Sequence, residues 1–170
     1  MPDIQDRVLQ GLSPLLGLKL SIARYFGNVR LFHFGALSGG GDPCGQYALH
    51  LLCPWRLENG ESILTGLNDW YVPADPISDG DWDAANGGSI QEAVLSDWMG
   101  GETGLSIMNR TENLVVTHIS VDSFGGFSLD LTGGVRLAVF PCASRGEQWR
   151  IFQPGEDSKH FVIGESVIWE

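Results

Sequence analysis

The chain has 170 residues, a length that fits one domain with a single buried core. Its 21 acidic residues outnumber its 10 lysines and arginines, and the resulting formal charge of −11 repels phosphate backbones and anionic lipids, so nucleic-acid and membrane partners are not expected. No window approaches the roughly 20 apolar residues of a membrane-spanning helix, and acids stand near the start where a signal peptide carries bases, so we expect a cytoplasmic protein.

The first part of the chain predicts a short helix and a β-hairpin. Residues 4–16 carry apolar side chains at helical spacing with a glycine and a proline among them, which predicts a short helix or turn at a sheet edge. Residues 18–26 and 29–34 flank Gly27-Asn28, an acceptable hairpin turn. A helix over residues 21–26 is the competing interpretation of the same stretch.

The next segment predicts a flexible loop and a central strand. The glycine-rich residues 35–45 lack the Gly-Lys-Ser/Thr ending of a phosphate-binding loop, so they predict a flexible loop and not a phosphate site. Residues 47–53 are apolar on both faces of a strand, which is typical of a central strand covered on each side. Pro54 interrupts that strand, and Asn59-Gly60 predicts a second hairpin.

A long polar connection over residues 69–88 leads into the clearest helix signal of the chain. Ser89 is a candidate N-cap, and Glu92 three residues later completes a capping box. The apolar stripe that follows ends at a pair of glycines, so the sequence predicts a helix over residues 89–99.

Residues 114–152 alternate between apolar and polar side chains in several short runs closed by turn residues, as antiparallel strands do. Residues 160–169 add one or two more strands. The predicted fold is therefore a single α+β domain spanning residues 1–170. It has a curved, mostly antiparallel sheet and one main helix at 89–99 packed on it.

The acidic segment contains the candidate binding site. Its three alternating aspartates look like the start of a calcium loop, but Ala84 replaces the glycine of the sharp turn and Ile90 replaces the closing glutamate. No metal site and no cofactor are predicted. Aromatic residues interrupt the acids, and aromatic rings beside carboxylates suit a cationic partner. The predicted binding residues are Trp70, Tyr71, Asp79, Asp81, Trp82 and Asp83.

Two Trp-Arg pairs, Trp55-Arg56 and Trp149-Arg150, stand next to glutamates in strand-like sequence. Adjacent residues of a strand point to opposite faces, so we expect each tryptophan in the core and each arginine paired with a nearby acid. A role for these pairs as an interaction surface is the competing interpretation.

The three cysteines are odd in number and have no CxxC spacing, so neither a disulfide framework nor a cysteine zinc site is predicted. Reduced and mostly buried thiols are expected, with Cys44 in the glycine-rich loop the most exposed. No residue is assigned that would lower the pKa of Cys44, so no catalytic nucleophile is predicted.

The histidines His33, His50, His118 and His160 lack metal-binding spacing, and we expect partly buried, hydrogen-bonded rings. They also supply the alternative function, a small-molecule binding protein or hydrolase. Its pocket would lie between sheet and helix and gather His50 or His118 with a carboxylate. A homodimer formed by edge-strand pairing is a third hypothesis.

The stretches GQYALHLLCPWRLE, ILTGLNDWYVP, EQWRIFQP and HFVIG resemble a family of small uncharacterised bacterial proteins. These motifs are structural, so the resemblance implies no reaction and transfers no site residues. Similar acidic, single-domain α+β proteins are grouped with immunity proteins of bacterial toxin systems. The leading expectation is a non-catalytic, immunity-like interaction domain that uses the loop at 69–83 to bind a basic protein partner.

Overall fold

The protein folds into two antiparallel β-sheets accompanied by α-helices. The computed structural model describes residues 3–75, 82–83, 87–99, 106–107, 114–157, 159–165 and 167–169. Within these ranges the helices are α1 Ile4–Leu12 and α2 Ile90–Met99, with 3-10 helices at Ser13–Leu15, Leu67–Tyr71 and Thr132–Gly134. The strands are β1 Leu20–Phe26, β2 Val29–Phe34, β3 Tyr47–Leu51, β4 Trp55–Glu58, β5 Ile63–Gly66, β6 Ser106–Ile107, β7 Val116–Val121, β8 Phe127–Leu131, β9 Val135–Val139, β10 Trp149–Phe152, β11 Phe161–Ile163 and β12 Val167–Trp169.

The strands divide into a seven-stranded and a five-stranded sheet. The first has the order β12-β11-β10-β3-β2-β1-β6, and the second has the order β5-β4-β9-β8-β7. Every strand pair in both sheets is antiparallel. The predicted α+β class with a mostly antiparallel arrangement is thus confirmed, and β3 lies in the middle of its sheet, as the apolar faces of residues 47–53 predict.

The two sheets pack face to face over a shared core. Phe32 of the seven-stranded sheet meets Trp55 of the five-stranded sheet edge to face, with ring centroids 5.3 Å apart. Phe127 and Trp149 make a second such contact across the sheets at 4.9 Å. The strands therefore form two layers where the sequence suggested one curved sheet. The chain changes layer at Pro54, whose carbonyl accepts a hydrogen bond from the backbone N–H of Phe140.

Both predicted hairpins are present. Phe26 pairs with Val29 across a two-residue turn in which Gly27 has a φ of 60°, a conformation that glycine adopts without strain. The helix considered for residues 21–26 is therefore wrong. In the second hairpin, the Asn59 side chain accepts hydrogen bonds from the N–H groups of Glu61 and Ser62, which closes the turn between β4 and β5.

Helices α1 and α2 pack against different strands of the two sheets. Helix α1 contacts β7 and β12, and its Gly11 lies so close to the ring of Phe161 that a Cβ atom would fall 2.7 Å from it. Helix α2 packs against β5 and the Leu67–Tyr71 helix. It begins with the predicted capping box, because the Glu92 N–H donates to Ser89 Oγ at 3.1 Å and the Ser89 N–H donates to the Glu92 carboxylate at 3.3 Å. In the part of the chain that the structure describes, neither helix has the length and apolar character needed to cross a bilayer.

The Trp-Arg pairs adopt the structural arrangement predicted for them. Trp55 and Trp149 are both buried in the core. Arg56 donates to the Glu58 carboxylate at 2.6 Å, and Arg150 donates to the Glu147 carboxylate at 2.6 Å. Each arginine thus pairs with the nearby acid on the face opposite its tryptophan.

Candidate functional site

The main concave surface near the acidic segment is walled by aromatic rings. It has a volume of about 770 Å³ and joins the β1–β2 hairpin to both ends of the long polar connection. The residues that line this aromatic concavity are Tyr25, Gly27, Asn28, Trp70, Tyr71, Trp82 and Asp83. Its size lies within the range of about 300 to 1,000 Å³ that is typical of ligand sites in proteins.

The 3-10 helix Leu67–Tyr71 positions Trp70 and Tyr71. The Asp69 carboxylate accepts hydrogen bonds from the Thr65 hydroxyl at 3.0 Å and from the Gly66 N–H at 3.1 Å, which fixes the start of this helix. The buried Gln91 side chain of α2 donates to the Gly66 carbonyl at 2.7 Å. Helix α2 and strand β5 therefore hold the two aromatic residues in place.

The two ends of the long connection are joined to each other. The Ala74 N–H donates to the Gly88 carbonyl and the Ile90 N–H donates to the Val72 carbonyl, each at 2.8 Å. Between these contacts, the Trp82 indole N–H donates to the Gly87 carbonyl at 3.1 Å. These hydrogen bonds bring Trp82 back beside the helix that carries Trp70.

The rings on the hairpin side are partly covered and partly open. Tyr25 and Trp70 stack with ring centroids 3.9 Å apart and planes 23° from parallel. Burial and a hydrogen bond with Tyr71 raise the pKa of Tyr25. Tyr71 is 63% exposed, and Phe26 at the tip of the hairpin is 78% exposed. The site thus combines a stacked wall with the exposed ring of Tyr71, while Phe26 lies outside the lining of the concavity.

A buried cation lies at this wall. Arg30 pairs with Tyr25 in the β1–β2 register and is only 3% exposed. Its guanidinium carbon lies 5.1 Å from the ring centroid of Tyr25, 5.7 Å from that of Trp55 and 5.9 Å from that of Trp70. Burial lowers the pKa of Arg30 to about 10, although Tyr25 and Glu92 oppose the shift, so the group remains charged at neutral pH.

The structure brings four of the six predicted binding residues together, namely Trp70, Tyr71, Trp82 and Asp83. The other two, Asp79 and Asp81, lie outside the described residues. Sequence reasoning missed Tyr25 and Arg30. The Gly27-Asn28 turn offered a signal, because a two-residue hairpin places these two residues directly opposite each other.

Three of the histidines are neighbours: the ring of Phe152 contacts both His50 and His160, and after burial the nearby His33 also lowers the pKa of His50. His33 accepts a hydrogen bond at Nδ1 from the Gly45 N–H, and burial followed by the charge of Arg24 lowers its pKa to about 4. Burial also lowers the pKa of His50 to about 4, and its ring meets Phe152 edge to face.

The alternative function requires His50 or His118 beside a carboxylate, and the Glu147 carboxylate is near enough to His50 to oppose the lowering of its pKa by burial. His50 lies on β3 of the seven-stranded sheet, whereas His118 lies on β7 of the five-stranded sheet and is exposed. The described residues contain no group of three or more histidine, cysteine or acidic side chains arranged to hold a metal ion.

The cysteines are all free thiols. Burial, followed by the nearby Cys142, raises the pKa of Cys53 to about 12, so Cys53 is a protonated thiol at neutral pH. Cys142 is exposed and Cys44 is only half-buried, so the expectation that Cys44 would be the most accessible thiol is wrong. The turn at Ser38 and Cys44, joined by two backbone hydrogen bonds, covers part of that residue.

No family model, curated protein or solved structure matches this chain. The aromatic concavity and the buried arginine beside it are therefore the basis for a functional proposal.

Proposed function

We propose that the protein is a non-catalytic interaction domain that binds a basic protein partner in the aromatic concavity and along the acidic segment at 69–83. The observation that carries the proposal is the convergence of Trp70, Tyr71, Trp82 and Asp83 with Tyr25 in one open surface. Aromatic side chains of this kind contribute much of the binding energy in protein interfaces, because each buries a large area at little cost in side-chain entropy.

The exposure of individual rings supports a contact surface. Tyr71 is 63% exposed, and Phe26 at the tip of the adjacent hairpin is 78% exposed. Tyr71 lines the concavity from the Leu67–Tyr71 helix, whereas Phe26 follows Tyr25 on β1 and lies outside the lining. A partner in the concavity would bury the exposed ring of Tyr71.

Charge supports a basic partner. The chain carries a formal charge of −11, and the acidic segment contributes Asp69, Asp75, Asp79, Asp81 and Asp83 around the aromatic residues. Opposite charges on the partner would increase the association rate and orient the two surfaces before the aromatic rings make contact. An immunity-like role in the bacterial cytoplasm, with a basic toxin as the partner, is the specific form of this proposal that the resemblance suggests.

The proposal is tested by capture of partners from a lysate of the native host. Reversal of the three charges in Asp79→Lys, Asp81→Lys and Asp83→Lys should abolish recovery of the partner. The matched control reverses three exposed acids elsewhere, Glu61, Glu156 and Asp157, because it changes the net charge by the same amount.

Equal losses in the two triple variants would mean that only net charge matters. Unchanged recovery in the first variant would show that the acidic segment is not the contact surface. Tyr71→Ala and Trp82→Ala extend the test to the aromatic residues, and each should weaken capture if the concavity is the contact surface.

A second candidate function, small-molecule binding, is favoured by the volume of the aromatic concavity. A surface of about 770 Å³ lined by aromatic rings can accommodate a ligand of drug-like size. The location of this candidate differs from the His50 or His118 pocket considered for the alternative function, because neither histidine lines the concavity.

A further inference from the structure

The guanidinium of Arg30 is buried without the hydrogen bonds that such a group normally makes. Among the described residues, neither Nε nor Nη2 has a hydrogen-bond partner, and both atoms are inaccessible to solvent. Two other buried polar atoms of the same part of the molecule, Trp55 Nε1 and Gln91 Oε1, also lack a partner there. A buried charge without hydrogen bonds is costly, so it indicates a group that binding satisfies.

The two unpaired nitrogens of Arg30 define a particular geometry. Nε–H and the nearer N–H of Nη2 point in parallel from one edge of the planar guanidinium. A carboxylate can accept both hydrogen bonds at once with its two oxygens, the side-on bidentate arrangement of arginine–carboxylate pairs. Other atoms of Arg30 face the rings of Tyr25, Trp55 and Trp70, which stabilise the charge without accepting its N–H groups.

No described carboxylate fills this position. Glu92 raises the pKa of Arg30 through its charge, but its Oε2 accepts hydrogen bonds from the N–H groups of Gly88 and Ser89 and belongs to the cap of α2. Asp83 lines the concavity, and Asp69 accepts hydrogen bonds from the Thr65 hydroxyl and the Gly66 N–H. Their negative charges disfavour a dianion such as phosphate more than a single carboxylate.

We propose that the side-on edge of Arg30 binds a carboxylate that enters through the aromatic concavity. Tyr25 and Trp70 both line the concavity and both contact the guanidinium, so a ligand in the concavity would reach Arg30 by displacing this stacked pair. The rings then surround the apolar body of the ligand while its carboxylate pairs with the arginine. The carboxylate belongs either to an acidic side chain of the protein partner or to a free organic acid.

This inference stands apart from the proposed basic partner, because a basic protein can present one carboxylate and a small acid can occupy the same place. Benzoate is a suitable probe, with an aromatic body and one carboxylate. Benzamide has nearly the same shape without the charge, and benzylammonium carries the opposite charge. The full chain is titrated with each compound while the arginine Nε–H signals are followed by ¹H–¹⁵N NMR, the Arg30 signal being assigned from its loss in Arg30→Lys.

Benzoate should shift the Arg30 Nε–H signal and should bind at least about tenfold more tightly than benzamide, since hydrogen bonds between two charged groups are stronger than those to a neutral amide. Arg30→Lys keeps the charge but lacks the planar edge, so it should weaken benzoate binding about tenfold or more. Arg136→Lys, an exposed arginine on the five-stranded sheet, is the control and should leave binding unchanged.

Binding of benzylammonium in preference to benzoate would overturn the proposal and indicate a cation site. An unmoved Arg30 signal at saturating benzoate would also overturn it. If Arg30→Lys fails to fold, the comparison of the three compounds on the native chain still decides the question.

Competition between benzoate and a captured partner identifies the source of the carboxylate. Benzoate that displaces a captured partner identifies the carboxylate as the partner's, whereas benzoate that binds without displacement identifies a free acid. Failure of benzoate to bind leaves the charge-reversal test of the protein partner unaffected, so the two proposals fail separately.

Discussion

Replacement of Arg30 by methionine should stabilise the folded protein. Burial lowers the pKa of Arg30 from its ordinary 12.5 to about 10, and each unit corresponds to about 1.4 kcal/mol. The charged guanidinium is therefore disfavoured in the folded state by about 3 kcal/mol relative to the unfolded chain. Because the arginine is charged in both states at every pH below about 10, this penalty is fully present at pH 7.

The aromatic neighbours of Arg30 offset part of the penalty. Contacts with three rings, each contributing about 0.5–1 kcal/mol, recover about 2 kcal/mol. Methionine has a similar length, and its sulfur makes favourable contacts with aromatic rings, so most of the packing is retained. We expect Arg30→Met to raise the free energy of unfolding by about 1 kcal/mol, which corresponds to a rise in Tm of about 2–4 °C for a domain of this size.

The assay is urea denaturation at pH 7 followed by tryptophan fluorescence. The control is Arg136→Met, which removes an exposed arginine paired with Asp130 at 2.5 Å and should leave the free energy of unfolding nearly unchanged. A loss of more than about 1 kcal/mol in Arg30→Met would refute the reasoning, because it would show that the buried guanidinium is a net stabiliser. The stabilised variant should also lose benzoate binding, since a group retained for recognition usually costs stability.

Three further predictions concern the scaffold. Gly11→Ala should lower the free energy of unfolding by about 1–3 kcal/mol despite the better helix propensity of alanine, because the new Cβ would press on the buried Phe161 ring; a stabilised variant in urea denaturation would contradict this. Ser89→Ala should cost about 1 kcal/mol by removing the N-cap of α2, and thermal unfolding with an unchanged Tm would show that the cap contributes nothing. Because burial lowers the pKa of His33 and His50 from 6.5 to about 4, the unfolded chain binds more protons between these values, so stability is complete above pH 6.5 and falls as the pH drops towards 4. A flat stability profile across that interval would mean that neither ring is buried in the neutral form.

The features that could be predicted from the sequence depend on neighbouring residues. The capping box of Ser89 and Glu92 requires only three residues of spacing, and the Gly27-Asn28 turn needs only two. The burial of Trp55 beside a paired Arg56 follows from the alternation of a strand. In each case the physical cause lies within one element.

The division into two sheets could not be predicted in the same way. Pro54 predicts an interruption, but the sequence does not determine whether the chain bends within one sheet or crosses to another. The outcome depends on Phe140, more than eighty residues later, whose N–H binds the Pro54 carbonyl, and on the cross-sheet contact of Phe32 with Trp55. These are tertiary contacts that no local pattern contains.

The sequence predicted the residues of the candidate site that lie on the long connection but not those on the β1–β2 hairpin. Trp70, Tyr71 and Trp82 attract notice because aromatic residues are unusual in an acidic loop. Tyr25 and Arg30 belong to a hairpin that reads as ordinary strand sequence, and burial of an arginine runs against the usual preference of that residue for solvent. The position of Arg30 at the wall of the candidate site becomes apparent only when the hairpin and the long connection are placed together in the structure.

The long connection is joined to itself at its two ends, so its sequence can change independently of the sequence of the two sheets. Since the Ala74 N–H donates a hydrogen bond to the Gly88 carbonyl, the two ends of this segment are held together at one point of the fold. Insertions, deletions and substitutions between Ala74 and Gly88 would leave strand pairing intact, as in the hypervariable loops of antibodies. Under the proposed function, exchanging about a dozen residues would give the protein a new binding specificity while its two β layers remain the same.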